Sequence, residues 1–433
     1  MSYFHSVTLD KEKCHGCTNC IKNCPTEAIR VRGGKAKIIK ERCIDCGECI
    51  RICPYHAKRA VTGDFEELQK FKFNIAMPAP SFYGQFKNLD DRNKVLTALL
   101  EVGFDDVFEV SIGAELATKA TKMVLLKTEH KKLLISSACP AVLRLIRERF
   151  PDLLDNLSPV LSPMEIAASV ARERAKEATG FSDEEIGVFF ITPCPAKVTS
   201  VKSPLALQKS YVNGCFSSNE MYLRVRSAMK NLKEVKSFPN STSGGVAWAR
   251  SGGEAMGVET SKYIAVDGIK NVIDVLEAIE DDMLGDIVFA ELCACPGGCV
   301  GGPLNVANPF IASTRIKDLL EKSGEGTGSF EYSEGEFLRT KDIEAAPVMR
   351  LDEDFSKAMQ MMEDIETIYT NMPKLDCGSC GAPSCKALSE DIVRGFGNEN
   401  DCIFKMRERV KELAKELFDL ETQPYGNNSE KEL

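Results

Sequence analysis

The segment DIVFAELCACPGGCVGG, from Asp286 to Gly302, joins a strand pattern to a cysteine-rich loop. Its first seven residues form a mainly apolar run of the kind that makes a buried strand. Cys295 and Cys299 follow, and the glycines beside them permit tight turns and close approach to a bulky group. The segment therefore predicts a strand whose carboxyl end presents two thiols.

Two other strand candidates also lead into a cysteine. KLLISS (Lys132–Ser137) precedes Cys139, and GVFFIT (Gly187–Thr192) precedes Cys194. In open α/β sheets, ligands bind outside the carboxyl ends of the strands. Three strand ends can thus bring four thiols to one site.

The surrounding sequence, from about residue 71 to 320, alternates between short apolar runs and helical patterns. Two more strand candidates are FNIAM (Phe73–Met77) and VFEVSI (Val107–Ile112). The helical patterns are Asp91–Glu101, Ala141–Phe150, Glu165–Ala178 and Val272–Glu280. This alternation predicts an α/β fold with mostly parallel sheets.

The first 53 residues contain the same four-cysteine motif twice. The copies are CHGCTNCIKNCP, with Cys14, Cys17, Cys20 and Cys24, and CIDCGECIRICP, with Cys43, Cys46, Cys49 and Cys53. In this motif the cysteine before the proline ligates the other cluster. Cys14, Cys17, Cys20 and Cys53 are therefore expected to hold one [4Fe-4S] cluster, and Cys43, Cys46, Cys49 and Cys24 a second. Structural zinc is the alternative, but zinc sites usually pair two C-x2-C knuckles.

The repeat resembles a bacterial two-cluster ferredoxin over about Ser6 to Val61. Two neighbouring clusters suit electron transfer, which is the role expected for this segment.

Composition narrows the function further. The chain has 433 residues, 18 cysteines and a formal net charge of −9, so electrostatics do not favour nucleic-acid binding. The start shows no secretory signal, and no apolar run has the roughly 18 residues of a membrane span. We therefore expect a cytoplasmic protein, in which grouped cysteines bind metal more often than they form disulfides.

A third cysteine group lies near the end of the sequence, flanked by helical patterns at Glu353–Thr370 and Phe404–Leu420. Cys377, Cys380 and Cys385 occur in LDCGSCGAPSCKAL, and Cys402 follows. The spacing resembles the small iron–sulfur domain of RnfB-type electron carriers, with Cys385 starting a helix. A fourth [4Fe-4S] cluster is expected here, with a zinc knuckle as the alternative. The sequence leaves open whether this domain is an electron port or a docking element.

The middle of the chain resembles the [FeFe]-hydrogenase family. SSACPAV (Ser136–Val142), TPCPAKVTS (Thr192–Ser200) and ELCACPGGCVGGP (Glu291–Pro303) are similar to its three signature motifs. MPAPSFYG, with Ala79, Pro80 and Ser81, and TSGGVA (Thr242–Ala247) are further similarities.

This resemblance implies an H-cluster. Cys139, Cys194, Cys295 and Cys299 would hold its [4Fe-4S] cubane, and Cys299 would also bridge to a diiron azadithiolate unit carrying CO and cyanide. Lys197 and Ser81 would donate hydrogen bonds to the cyanides. The alternative is an ordinary four-cysteine cubane without the diiron unit, as in cytosolic assembly proteins that resemble the hydrogenase fold.

The sequence departs from the family at the proton-relay position. Catalytic members have a cysteine before the first ligand cysteine, whereas this chain has Ala138. Ala120 and Thr121 align with the acids that continue the relay. Cys293 stands where the family has methionine, and it either partly replaces the lost thiol or is a small buried hydrophobe.

The three motifs of this chain also differ from the family's signature motifs at Thr192, Val142 and Ser200. Cys215 and Glu254 are weaker relay candidates, expected instead to be a buried cysteine and a surface glutamate.

The sequence thus predicts a slow or H2-sensing [FeFe]-hydrogenase. Alternatives are a conventional hydrogenase with another proton path and a non-catalytic iron–sulfur assembly or electron-transfer protein. Expected partners are H2, protons, a ferredoxin or other redox or signalling partner, and hydrogenase maturation proteins. Three domains are predicted: a ferredoxin-like domain (1–65), an H-cluster domain (66–345), and a C-terminal helix with a four-cysteine domain and tail (346–433).

Overall fold

A computed structural model describes residues 4–128, 132–322, 330, 333 and 335–422. The chain divides into two compact units: Met1–Asp10 with Lys40–Met349, and Lys11–Ile39 with Arg350–Leu433. This division groups the residues differently from the three predicted domains, which stay a prediction. Residues 323–329, 331–332 and 334 of the predicted H-cluster domain, and the tail after Thr422, lie outside the described residues.

Eleven strands are present among the described residues. In chain order they are β1 (Val7–Leu9), β2 (Ile29–Arg32), β3 (Lys35–Ile38), β4 (Lys58–Ala60), β5 (Phe73–Pro78), β6 (Asp106–Val107), β7 (Leu134–Ile135), β8 (Ile186–Thr192), β9 (Gly214–Ser217), β10 (Tyr263–Asp267) and β11 (Phe289–Cys293).

Sixteen α-helices accompany these strands in the described part of the chain. They are α1 (Asn19–Lys22), α2 (Glu48–Arg51), α3 (Pro80–Tyr83), α4 (Asn93–Val102), α5 (Val110–Lys127), α6 (Pro140–Arg149), α7 (Pro163–Thr179), α8 (Pro195–Lys202), α9 (Ser218–Met229), α10 (Ser243–Ala247), α11 (Gly253–Val258), α12 (Ile269–Glu280), α13 (Pro309–Lys322), α14 (Phe355–Thr370), α15 (Cys385–Val393) and α16 (Ile403–Thr422). No helix in the described ranges has the length and apolar character that a bilayer span requires.

The first unit is built on two parallel sheets. One has the strand order β6-β5-β8-β9 and the other has the order β10-β11-β7. Every residue of β8 is buried, as expected for a central parallel strand covered on both faces. The predicted α/β fold with mostly parallel sheets is therefore confirmed.

The ferredoxin-like segment adds two antiparallel pairs. β1 pairs with β4 in the first unit, with Val7 opposite Ala60. In the second unit β2 and β3 form a hairpin, with Ile29 opposite Ile38. The second unit also contains α14, α15 and α16, so the expected helical character of the C-terminal region is confirmed.

Close packing of α5 on α7 supports the first sheet. A Cβ atom at Gly113 would lie 2.3 Å from the carbonyl oxygen of Pro163 and 2.8 Å from the backbone nitrogen of Ala167. Only glycine allows the two helix backbones to approach this closely. Around this contact, Leu116, Ala120 and Ile166 are buried in the core.

One strand prediction was wrong in the type of structure over most of its length. The segment Val107–Ile112 was expected to be a strand, but β6 ends at Val107 and α5 begins at Val110. A short apolar run fits a buried helix start as well as a strand, so periodicity alone does not distinguish them. Strands β9 and β10 were not predicted.

Candidate metal centre

Four cysteines lie at the carboxyl ends of parallel strands. Cys139 follows β7 and caps α6, Cys194 follows β8 and caps α8, and Cys295 and Cys299 follow β11. All four line one cavity in the first unit. The structure thus brings together the four thiols that the strand pattern predicted to meet.

Glycines pack the loop after β11 against its neighbours. A Cβ atom at Gly302 would lie 2.4 Å from the carbonyl oxygen of Pro193, the residue before Cys194. At Gly301 it would lie 1.9 Å from the carbonyl oxygen of Pro296. The absence of a side chain at Gly302 lets two ligand loops touch, and its absence at Gly301 lets the loop after β11 fold tightly on itself.

The thiols share a low-dielectric environment. Burial raises the pKa of Cys194, Cys295 and Cys299 to about 12 each, and the charges of neighbouring thiolates, including that of Cys139, raise it further. Cys299 is the most accessible of the four. Thiolates so crowded need a positive charge to replace their protons, and a bound iron–sulfur cluster supplies it. The residues present therefore fit a four-cysteine cluster.

Space remains beside the thiols. The cavity has a volume of about 100 Å³, counted as room for the centres of water molecules. One water needs roughly 10–15 Å³ on this measure, so a group of several atoms fits. Apolar residues, among them Met164 and Phe190, form much of the wall.

Among the residues that the structure describes, Lys197 is the one lysine lining this cavity. Its Nζ donates a 2.9 Å hydrogen bond to the carbonyl oxygen of Ala138, and the residue is only 9% exposed. The ammonium is therefore placed beside the thiols with further donor capacity. This position agrees with the role that the family resemblance implies.

Ser81 is placed differently. Ala79 and Pro80 line the cavity, whereas Ser81, the next residue and part of α3, is fully buried and is not among the cavity residues. Its hydroxyl has no hydrogen-bond partner among the described residues. A buried hydroxyl without a partner is costly, so an acceptor supplied by a bound group would satisfy it.

Two carboxyl groups also line the cavity. Glu254 Oε2 accepts a 2.6 Å hydrogen bond from the Ser136 hydroxyl. Glu291 accepts from the backbone N–H groups of Gly252 and Ala255, each at 2.9 Å. Both side chains are buried, so the expectation that Glu254 is a surface residue was wrong.

Burial dominates the electrostatics of this pair. It raises the pKa of Glu254 to about 8, together with the charge of Glu291 and against the opposing effects of Ser136 and Lys197. Burial also raises the pKa of Glu291. The pair can therefore hold a proton near neutral pH.

Glu291 was not among the site residues predicted from the sequence. An acid inside the buried strand β11 was nevertheless a usable indication, because a charged side chain there needs compensating contacts.

The remaining relay candidates lie at different places. Cys293 lines the cavity, and its thiol lies 3.9 Å from Glu291 Oε1. Ala138 lines it too and presents only a methyl group. Cys215 is buried, as expected, but is not among the cavity residues.

The second ferredoxin motif packs next to this centre. Ile44 and Cys46 belong to the same apolar cluster as Cys139 and Cys194. The Arg51 guanidinium donates a 2.7 Å hydrogen bond to the carbonyl oxygen of Gly301. Electrons held at this motif would thus be close to the four-cysteine centre.

Asp45 fixes the same motif to helix α8. Its carboxylate accepts hydrogen bonds from the Thr199 hydroxyl at 2.7 Å and the Val7 N–H at 2.9 Å. Because α8 also contains Lys197, these bonds help to hold the lysine's helix in place.

The first motif and the C-terminal cysteines belong to the second unit. The sulfur atoms of Cys14 and Cys24 accept backbone hydrogen bonds from Ala36 (3.4 Å) and Ala28 (3.2 Å). Burial raises the pKa of Cys24 against the opposing effect of the hydrogen bond from Ala28. The expected exchange of Cys24 and Cys53 between clusters stays a prediction.

The C-terminal cysteines share a small core of their own. Cys380, Cys385 and Cys402 pack together with Leu388. Burial raises the pKa of Cys380, and the charges of Cys402 and Cys377 raise it further. Cys385 begins α15, as predicted, with Ser384 as its N-cap. This arrangement suits a metal or cluster with four thiolate ligands.

Three family models match the chain. The model for the iron only hydrogenase large subunit, C-terminal domain, matches residues 72–259 and 226–303. A 4Fe-4S dicluster domain matches residues 6–54, and an Fe-S cluster domain matches residues 372–404. Iron–sulfur cofactors are therefore supported at all three cysteine groups.

Known proteins agree with these matches. Iron hydrogenase 1 of Clostridium pasteurianum is 23% identical over 69% of this chain and 64% of its own length. The periplasmic [Fe] hydrogenase large subunit of Nitratidesulfovibrio vulgaris is 27% identical over 69% of this chain and 86% of its own. The chain thus spans a little under two thirds of the first of these relatives.

The solved structures that are similar to this chain include a variant of the [FeFe]-hydrogenase HydA1 from Chlamydomonas reinhardtii. It shares 14% identity, covers 64% of this chain and 95% of its own, and gives a TM-score of 0.48. Family membership rests on the hydrogenase model instead, which spans more than half of the 433 residues. The chain belongs to the iron-only, or [FeFe]-, hydrogenase family.

Proposed function

We propose that this protein binds an H-cluster at Cys139, Cys194, Cys295 and Cys299 and activates H2. The reaction class is H2 ⇌ 2H⁺ + 2e⁻. The observation that carries the proposal is the convergence of four thiols and Lys197 on one cavity of about 100 Å³. The diiron azadithiolate unit with its CO and cyanide ligands belongs to the proposal.

An H-cluster bound here would supply the splitting of H2 into protons and electrons. The protein's residues hold and surround it: four thiolates bind, Lys197 donates a charge-assisted hydrogen bond to an anionic ligand, and the apolar wall limits water. The Ser81 hydroxyl is a second donor.

Proton transfer is proposed to use Glu291 and Glu254 in place of the usual thiol. Cys293 lies 3.9 Å from Glu291, and Ser136 joins Glu254 to the loop before Cys139. The side chains of Ser136, Glu254, Glu291 and Cys293 all line the cavity. This path supports the hypothesis that Cys293 partly replaces the thiol missing at Ala138.

Turnover is proposed to be slow, as in a sensory hydrogenase. A positioned proton-transfer group is commonly worth about 10²–10⁴ in rate, or roughly 3–5 kcal/mol of barrier. Ala138 has no proton to give. Electrons would pass through the second ferredoxin motif to a ferredoxin or another redox or signalling partner, and maturation proteins would install the diiron unit.

The buried carboxyl pair favours one alternative, a faster conventional hydrogenase that uses this other path. H2/D⁺ exchange by matured protein separates the two by rate. Infrared spectra of the matured protein under H2 test both. CO and cyanide bands are expected; their absence would leave a non-catalytic iron–sulfur protein.

A further inference from the structure

The second unit joins the first ferredoxin motif to the C-terminal four-cysteine segment. It consists of Lys11–Ile39 and Arg350–Leu433, which are more than 300 residues apart in sequence. Their contacts bear on what the C-terminal cysteines do.

A buried ion pair holds the two segments together. Arg30 donates two hydrogen bonds to Asp391, at 2.7 Å and 3.0 Å, and both side chains are under 10% exposed. Arg32 adds a third bond to the same carboxylate at 2.9 Å. Such bidentate, buried pairing fixes orientation as well as distance. The hairpin β2–β3 is therefore rigidly attached to helix α15.

The hairpin also contacts the cysteine loop itself. Val31 N–H donates to the carbonyl oxygen of Gly381 at 2.8 Å, and Arg32 donates to that of Cys380 at 2.5 Å. Gly381 has φ +81°, and a Cβ atom there would lie 1.9 Å from the carbonyl oxygen of Val31. Only glycine permits this contact.

The same hairpin contacts the first motif. Ala36 N–H donates to the Cys14 sulfur at 3.4 Å, and the Lys35 ammonium donates to the Cys14 carbonyl oxygen at 2.6 Å. A second contact joins the two cysteine segments directly. A Cβ atom at Gly378 would lie 3.5 Å from Ile21 Cδ1. Gly378 directly follows Cys377, and Ile21 directly follows Cys20. The side chains of Ile21 and Lys22 thus lie against the C-terminal cysteine loop at Gly378.

We propose that the C-terminal cluster exchanges electrons with the cluster bound by Cys14, Cys17 and Cys20. One electron passes from the reduced to the oxidised cluster, with no bond made or broken and no proton moved. The inference rests on the proposed function only in that both cysteine groups hold [4Fe-4S] clusters; it does not require H2 activation. It assigns the C-terminal domain as an electron port.

A docking element alone would not need these contacts. Electron transfer through protein slows steeply with distance, so a redox role requires the two cysteine loops to stay close. The buried Arg30–Asp391 ion pair and the close contact of Gly381 with Val31 hold the two cysteine loops at a fixed distance from each other.

Electron paramagnetic resonance of the dithionite-reduced full-length protein tests the proposal. Two reduced clusters this close broaden and relax each other's signals. Replacing a ligand of the C-terminal cluster, Cys402→Ser, should remove that cluster and narrow one of the remaining signals. Unchanged remaining signals, with iron lost only from the C-terminal cluster, would overturn the proposal.

A glycine pair provides a matched control. Gly381→Ala should weaken the coupling while iron content stays at the wild-type level. Gly395→Ala introduces the same kind of backbone strain, with φ +76°, but meets no atom within 4 Å, and should keep the coupling. If Gly381→Ala also loses iron, the Cys402→Ser comparison decides. Because the diiron unit is not needed, this result is independent of any failure to activate H2.

A second, independent observation concerns helix α16. Its apolar residues follow the 3–4 spacing of a coiled-coil seam, at Ile403, Met406, Val410, Leu413, Leu417 and Leu420. Met406 is 45% exposed and Leu420 68%, and none of the helix is buried. Such a stripe is typical of a helix that pairs with another helix.

The charges beside the seam favour a second copy in antiparallel orientation. With Val410 opposite Leu413 of the partner, Arg409 lies beside Glu416 of the partner, and the symmetry repeats this attraction. In parallel orientation Glu416 would instead face Glu421 of the partner, a like-charge pair. We infer that α16 forms an antiparallel homodimer.

Sedimentation of the full-length protein tests the dimer. Wild type is expected to dimerise at micromolar concentration, and Leu413→Asp to be monomeric. Glu416→Arg should weaken the dimer, and adding Arg409→Glu should restore it. Leu223→Asp, at a residue 67% exposed on α9, should change nothing. A monomeric wild type, or a double variant no better than the single one, would refute the inference.

Discussion

The hydroxyl of Ser136 donates a 2.6 Å hydrogen bond to Oε2 of Glu254, and both residues are buried beside the cavity. Ser136 also accepts a 3.2 Å hydrogen bond from the N–H of Ala138. A carboxyl group is thereby connected to the loop that presents the first ligand cysteine. The position that lacks a thiol thus has an ionisable group nearby, on another part of the chain.

Removing this carboxyl should slow proton transfer. Glu254→Gln keeps the size of the side chain and its bond to Ser136 but cannot exchange a proton at neutral pH. H2/D⁺ exchange by the matured protein should fall by about 10²-fold or more. Glu165→Gln is a suitable control, since Glu165 is buried but absent from the cavity wall. Equal exchange in wild type and Glu254→Gln would exclude Glu254 from the path.

The same carboxyl predicts a pH dependence of stability. Burial raises its pKa from 4.5 to about 8, so the folded protein holds this proton where the unfolded chain has released it. The free energy of unfolding should therefore fall as pH rises from about 4.5 through 8. Glu254→Gln should flatten that fall, as measured by thermal unfolding of anaerobic protein between pH 5 and about 9. Parallel curves for the two proteins would contradict the raised pKa.

Restoring a thiol at the relay position should raise turnover only in part. Ala138 lines the cavity, so the sulfur of Ala138→Cys would enter it. The acids that would continue the family's usual relay are missing, since Ala120 and Thr121 are buried residues without a carboxyl group. H2/D⁺ exchange should rise by less than the 10²–10⁴ that a complete relay contributes. Ala138→Ser serves as the steric control, and a rise of many orders of magnitude would show that position 138 alone limits the rate.

Lys197 should control incorporation of the diiron unit. Lys197→Met keeps the aliphatic stem but removes the ammonium that lies among the thiols. CO and cyanide bands should shift or weaken after maturation, while the cubane iron stays. Lys202→Met, an exposed lysine on the same helix, should leave the spectrum unchanged. Identical spectra in both variants would remove Lys197 from the site.

The cysteines of the centre could be predicted because each follows a strand, and parallel strands end at a common edge. Cys139, Cys194 and Cys295 need no knowledge of long-range contacts beyond that rule. The pair of buried carboxyl groups was harder to predict from the sequence. Glu254 and Glu291 come from separate elements, and the burial of Glu254 depends on contacts of α11 that its local sequence does not encode.

The boundary between β6 and α5 was predicted wrongly for a similar reason. Residues 107–112 carry an apolar pattern that suits either structure, and packing of α5 against α7 decided for helix. The docking of the first ferredoxin motif on the C-terminal cysteines joins residues such as Arg30 and Asp391 that are 361 positions apart. Spacing within a motif contains no information about such a contact.

Contact between the second ferredoxin motif and the metal centre should govern electron supply. Gly47 has φ +77°, and a Cβ atom there would lie 2.4 Å from Pro303 and 3.1 Å from Pro195 in the ligand loops. Gly47→Ala should push the motif away and slow H2 evolution driven by reduced ferredoxin by about tenfold or more, if about 1.4 kcal/mol is added to the limiting barrier. H2/D⁺ exchange needs no outside electrons, so it should stay at the wild-type rate. Gly285→Ala has a comparable φ of +61° and open space around it, and should affect neither assay. A parallel loss of evolution and exchange in Gly47→Ala would instead mean that the substitution damages the four-cysteine centre itself.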